Sequence, residues 1–150
     1  VLELDLVSGM PRLQAAGRFL APAGRYFPAL LPEAAPQERL TELAVGELAR
    51  GGRWVKVIAD FPPVADGMPS GPPGVTYSRE AIEAMVAAVH DAGGRVAAHV
   101  TTDVVSELVR AGVDSIEHGT AIDESALRLM AQTGAAWTPT LCAVLGRQRS

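Results

Sequence analysis

The chain has 150 residues, a formal net charge of −4, 48% hydrophobic residues and 20% charged ones. That is enough chain for one core, the balance is too apolar for disorder, and without a basic run there is no nucleic-acid footprint. No apolar stretch approaches the ~18 residues of a membrane span, and the lone Cys142 makes neither an internal disulfide nor a cysteine metal cage, which fits a reducing, cytoplasmic setting.

The first residues, Val1-Leu2-Glu3-Leu4-Asp5, lack the basic and long apolar regions of a signal peptide. They also lack an initiator Met, so a processed, trimmed or longer parent chain is expected. Partial alternation over Val1–Leu6 allows a strand or a helix tail, and Pro11–Gly17 has room for a short strand. Four prolines from Pro22 to Pro36 predict a loop. A helix is predicted over Pro36–Arg50, with Leu40, Leu43, Ala44 and Leu48 on its apolar face and Gly51-Gly52 as its stop. Trp54–Ala59 reads as a strand. Asp60–Tyr77, with five prolines and three glycines, reads as a long loop of the kind that forms functional lids. Ser78 is a predicted N-cap, followed by Ile82, Met85, Val86 and Val89 on one helical face and Gly93-Gly94 at the end. A strand then runs to His99. The next helix presents Val104, Val105, Leu108 and Val109 and stops at Gly112. A strand ending at His118 follows, then a helix capped by Asp123 with Leu127 and Met130 inward and Gly134 as its stop. Ala135–Thr140 begins a further strand. This βαβαβα alternation with short turns predicts a parallel sheet covered by helices.

Three residues stand out against that frame. His99 and His118 each end an apolar strand and lie 19 residues apart, about what a crossover to a parallel neighbour needs. Both imidazoles are therefore expected at the carboxyl end of one sheet, on adjacent strands, where α/β proteins place their chemistry. Imidazole is the commonest metal ligand and proton carrier near neutral pH. Lys56 lies inside an apolar strand, where an ammonium is costly unless paired, neutralised or modified. Alternation puts it on one face with Trp54 and Ile58, opposite Val55 and Val57. The bland alternatives are core histidines bonded to backbone carbonyls and a lysine that snorkels or pairs with a carboxylate.

Other polar residues read as structural. His90 is expected at the surface, and Asp103 in the first turn of a helix. Glu117 is expected to face away from His118, toward the helix layer. Asp60 is a loop carboxylate at the mouth of the Lys56 strand and reads as solvated. Tyr77 is expected to pack under the next helix, and Cys142 to act as a small apolar residue. The Gly-Gly pairs have no nucleotide-loop spacing.

At these residues the sequence resembles a known family. Val113-Asp114-Ser115-Ile116-Glu117-His118-Gly119-Thr120 is similar to a signature of the metal-dependent amidohydrolases, in their imidazolonepropionase-like and Xaa-Pro dipeptidase-like branch. Gly94–His99 resembles the family's preceding strand, Trp54–Val57 its lysine strand, and Trp137–Leu141 the segment after the second histidine's helix. The likeness runs from about Arg12 to Leu141. It implies a TIM-type (β/α) barrel hydrolase in which one or two divalent ions, zinc foremost, activate water to cleave a C–N bond. The substrate would be an amide, a cyclic amide or dipeptide-like. It further implies that His99 and His118 bind metal, and that Lys56, carboxylated on its amine, bridges two ions. The family's H-x-H strand and its last-strand aspartate have no counterpart in this sequence, and Thr101 stands where many members have a further histidine. A whole barrel takes ~200–250 residues. The expectation is therefore the central part of a barrel over residues 1–150, about five of eight units, completed by remaining barrel segments or by another copy. The small-molecule substrate would be met without nucleic acid or membrane. Two alternatives stay open: a barrel portion with only a structural role, and a Schiff-base lyase using Lys56 as nucleophile.

Overall fold

The computed structural model describes residues 14–142. The expectations for residues 1–13 and for the tail beyond Cys142 lie outside the described residues. Gln14–Gly17 has no strand; the first one, β1, is Phe19–Leu20.

Five parallel strands form the central sheet in the order β1, β2 (Trp54–Ile58), β7 (Arg95–Val100), β8 (Ser115–His118), β9 (Ala136–Thr138). Helices alternate with them: α1 (Leu40–Ala49), α2 (Arg79–Asp91), α3 (Val105–Arg110) and α4 (Glu124–Thr133). Asp103 falls in the turn before α3 and not within the helix. The local signals act as the chemistry demands. Ser78 accepts a hydrogen bond from the Ala81 amide, and Asp123 accepts one from the Ala126 amide. Each satisfies a donor that the first helical turn leaves open. Gly134 ends α4 in the left-handed conformation at φ 79°, which glycine adopts without a Cβ penalty.

All four helices cover the same face of the sheet. Val55, Val57, Val96, Ala98, Val100 and Ile116 from the strands pack with Leu40, Leu43, Met85, Val89, Leu108 and Met130 from the helices in one core. Each such fully buried aliphatic side chain contributes about 1.5–3 kcal/mol. In α4 the inward residues are Ala126 and Met130, whereas Leu127 is 42% exposed. The opposite face carries only a small cluster of Ala21, Ile58 and Phe61 with Phe19, Tyr26, Leu31 and Val64. Helices on one side only are the arrangement of a (β/α) barrel; a doubly wound sheet has them on both.

β1 is held beside β2 by a buried carboxylate. Glu47 of α1 is 1% exposed, accepts from Arg18 Nε at 2.6 Å and from the Arg18 amide at 3.1 Å. A Cβ on Gly17, at φ 71°, would lie 2.3 Å from Glu47 Oε2, so only glycine lets the chain pass there.

Asp60–Tyr77 is not a plain loop. It is an arm of two short antiparallel ladders, β3 (Asp60–Phe61) with β6 (Gly74–Val75) and β4 (Val64–Ala65) with β5 (Met68–Pro69). Of its five prolines only Pro69 lies in a ladder, in a two-stranded pair where an edge position tolerates the missing N–H. Arg25 Nη2 ties its base by donating to the carbonyls of Phe61, Gly74 and Val75. Tyr77 closes the arm, buried, with its hydroxyl donating to the Ala35 carbonyl.

Candidate active site at the carboxyl ends of three strands

Register decides which side chains share the inner face. Lys56 pairs with Ala97, which pairs with Ser115; Ile58 pairs with His99, which pairs with Glu117. Paired residues of a parallel sheet point the same way, so Lys56, His99 and Glu117 all project away from the helices. Val55 and Val57 face the helix core, as alternation requires. Glu117 therefore lies on the lysine's side and not in the helix layer. Its Oε2 is 3.8 Å from Lys56 Nζ, and its Oε1 accepts from Ser115 Oγ at 2.6 Å. The small Ala97 lies between the two strands in register with Lys56 and leaves room for that contact.

His118 reaches the same face by a different route. It pairs with Val100, whose side chain is in the helix core, so strict alternation would send it there too. Instead His118 has φ 69°, and Gly119 follows at φ 56°. This left-handed turn swings the imidazole inward, and its ring centroid comes within 4.6 Å of that of His99. Such a φ is uncommon for a residue with a side chain, and it persists only when surroundings hold it. Two contacts hold it here. Trp137 Nε1 donates to the His118 carbonyl at 3.0 Å, and His118 Nδ1 lies 2.5 Å from Thr140 Oγ1. A Cβ on Gly119 would sit 2.8 Å from Trp137 Nε1, which explains the glycine after the histidine.

The electrostatics favour neutral donors. Burial brings the His99 pKa down to about 4, with the neighbouring His118 and Lys56 acting the same way against Asp60 and Glu117. His118 is also lowered, mainly by burial and then by Lys56. Burial brings Lys56 down to about 8, only partly offset by Glu117. Near neutral pH both imidazoles are uncharged, each with one ring nitrogen open as an acceptor, and the amine is easier to deprotonate than an exposed one.

His99 Nδ1 is buried and has no hydrogen-bond partner among the described residues. A buried polar atom left open is costly, and here it belongs to the commonest metal-ligating side chain, beside a second imidazole. Among the described residues no three His, Cys, Asp or Glu side chains converge as a metal cage. Lys56 and Glu117 share the inner face with the two imidazoles. Two neutral imidazoles are donors of the kind that zinc and similar ions accept.

The remaining polar residues divide cleanly. His90 is exposed and bonds Asp114 at 2.9 Å on the outer surface. Asp60 is fully buried and hydrogen-bonded to Thr101 and Thr102, not solvated as the loop reading expects. Its burial had no local signal, because its partners lie 41 and 42 residues away. The inward placement of Glu117 has no local signal either, because it follows from His118 leaving the alternating pattern at φ 69°. Aromatic rings flank His99: Tyr26 at 5.8 Å and Phe61 at 5.6 Å between centroids.

No family model matches the chain. An uncharacterised protein of Mycobacterium tuberculosis is 33% identical over 141 residues, which is 92% of this chain and 36% of that protein. The chain thus spans about a third of the length of the curated relatives it matches. Among solved structures, an amidohydrolase superposes with TM-score 0.74 at 28% identity, covering 95% of this chain and 40% of the other. A prolidase complexed with N-methylphosphonate-L-proline gives 0.66 at 28% identity, over 84% of this chain and 35% of the other. A Xaa-Pro dipeptidase with methionine in its active site gives 0.73 at 24% identity, over 89% and 36%, and shares the fold. The chain is a partial (β/α) barrel whose structural neighbours are enzymes of the amidohydrolase superfamily.

Proposed function

We propose that this chain carries part of the active site of a metal-dependent hydrolase that cleaves a C–N bond in an amide or dipeptide-like substrate. The observation that carries this reading is the open, buried Nδ1 of His99 beside the inward-turned His118 and Lys56. His99, His118 and Lys56 would hold a divalent ion, zinc by the chemistry of the donors. What a bound ion supplies is Lewis acidity toward the scissile carbonyl and a water pKa brought toward ~7.

The chain's own residues prepare this. Burial keeps His99 neutral, so one ring nitrogen keeps its lone pair available. The depressed pKa of Lys56 raises its fraction of free amine, the form that adds to carbon dioxide. In that step the neutral amine's lone pair bonds the carbon, a C–O π pair moves onto oxygen, and the nitrogen loses one proton to solvent; with the proton the ammonium gave up beforehand, a cation has become an anionic oxygen donor. Before carboxylation Glu117 is the counter-charge to Lys56, its Oε2 3.8 Å from the amine. Tyr26 and Phe61 beside His99 exclude water from that flank. A dipeptide-like substrate is supported by the prolidase neighbour at 28% identity.

The test is metal analysis and dipeptide hydrolysis by the full protein, with Lys56→Ala, His99→Ala and His118→Ala alongside. Bound divalent metal and hydrolysis that all three substitutions abolish is the expected result. Undiminished hydrolysis in all three overturns the reading. The lowered Lys56 pKa also favours a second reading, an amine nucleophile that forms a Schiff base with a carbonyl substrate. Borohydride trapping of substrate on Lys56 without metal would select it.

A further inference from the structure

The three strands that carry Lys56, His99 and His118 are laced together just beyond those residues. Asp60 lies four positions after Lys56, is 0% exposed, and sits at the start of the arm. It accepts from the Thr101 amide at 2.9 and 2.8 Å and from Thr101 Oγ1 at 3.0 Å. It also accepts from the Thr102 amide and Thr102 Oγ1, both at 2.7 Å. Thr101 and Thr102 follow His99 by two and three positions. Thr120, two positions after His118, then donates its Oγ1 to the Thr101 carbonyl at 3.1 Å.

We infer that Asp60 is the positioning residue of this site: one buried carboxylate sets the spacing of the Lys56, His99 and His118 strand ends. The inference rests on the hydrolase reading for its purpose, but its geometry stands without it. β7 ends at Val100, so the amides of Thr101 and Thr102 have passed beyond the ladder and need an acceptor. A buried charge is tolerated when its lone pairs are filled by hydrogen bonds. Here every donor comes from the segment after His99, so the carboxylate is committed to that segment and is not free to bind substrate. Only an acceptor on both oxygens can do this. A carboxamide presents one oxygen and turns its NH2 against N–H donors. The link to Thr120 carries the constraint to the His118 turn.

The test records imidazole proton–nitrogen spectra of the full protein without metal, for wild type, Asp60→Asn, Thr102→Val and Thr120→Val, followed by zinc titration of each. Asp60→Asn is expected to shift the His99 and His118 resonances and leave His90, on the outer helix layer, in place. Zinc affinity should fall about 10- to 100-fold, the usual effect of removing a group that orients ligands. Thr120→Val should move His118 and spare His99. A merely structural Asp60 would lower stability and leave the folded-state imidazole resonances where they were. That result, with wild-type zinc affinity, overturns the inference. If Asp60→Asn does not fold, the two threonine variants decide, and unmoved imidazoles in both overturn it. Should the wild type bind no zinc, the hydrolase reading falls, while the spectra still settle what Asp60 positions.

Discussion

The His99 and His118 rings lie 4.6 Å apart although the register of their strands assigns them to opposite faces. His99 pairs with Glu117 on the inner face, and His118 pairs with Val100, which is buried under the helices. A single left-handed residue, His118 at φ 69°, converts two neighbours on opposite faces into one pair. The pairing is therefore a backbone property of the turn after β8, and it is sensitive to anything that moves that turn.

Gly119→Ala tests this dependence. A side chain at φ 56° costs about 1–2 kcal/mol in the backbone alone, and its Cβ would meet Trp137 Nε1 at 2.8 Å. The variant should unfold at lower temperature, change tryptophan emission as Trp137 leaves the His118 carbonyl, and bind less metal. Unchanged emission and melting would show that the turn has slack.

Lys56→Arg separates charge from chemistry. Arginine keeps a cation near Glu117 but stays protonated at any working pH and forms no carbamate there. The fold should survive, as circular dichroism would show. Hydrolysis and metal uptake should be lost to the same extent as in Lys56→Ala. Activity in Lys56→Arg close to wild type would count against a carboxylated lysine.

The metal-free protein should lose stability on mild acidification. His99 has a folded pKa of about 4 against an ordinary 6.5, so the unfolded chain binds the proton first as pH falls. Stability is fully present above pH 6.5, falls between 6.5 and 4, and the loss is complete below 4. The full shift corresponds to up to about 3 kcal/mol, with His118 adding in the same direction. Urea unfolding at stepped pH, compared with His99→Phe, measures it. The phenylalanine variant should show a shallower slope over that window.

Glu47→Gln should destabilise the edge of the sheet. It removes the charge of Arg18's buried partner and leaves Arg18 only its exposed pair with Glu33, while Gly17 still wraps the side chain. The loss should be about 1.5–3 kcal/mol, that of a hydrogen bond to a charged group, because Arg18 is 28% exposed and keeps Glu33. Hydrogen exchange should rise at Phe19–Leu20 before it rises in β7.

The sequence by itself determined the alternation of helices and strands of the central sheet from α1 onward, the caps at Ser78 and Asp123, and the strand positions of Lys56 and His99. These depend on apolar periodicity, on Ser78 and Asp123 bonding amides three positions on, and on glycine at Gly134, all local interactions. Facing along β2 was readable for the same reason: alternation places Lys56 opposite Val55 and Val57 wherever that strand lies. Tertiary structure alone decided that Glu117 sits beside Lys56, that Asp60 is buried under Thr101 and Thr102, and that the Asp60–Tyr77 segment is a laddered arm. Each requires strands far apart in sequence to meet in one register, and the Glu117 assignment required knowing that His118 leaves the alternating pattern. That departure is held by Trp137 and Thr140, residues from the next strand and just beyond it, which no window around His118 contains.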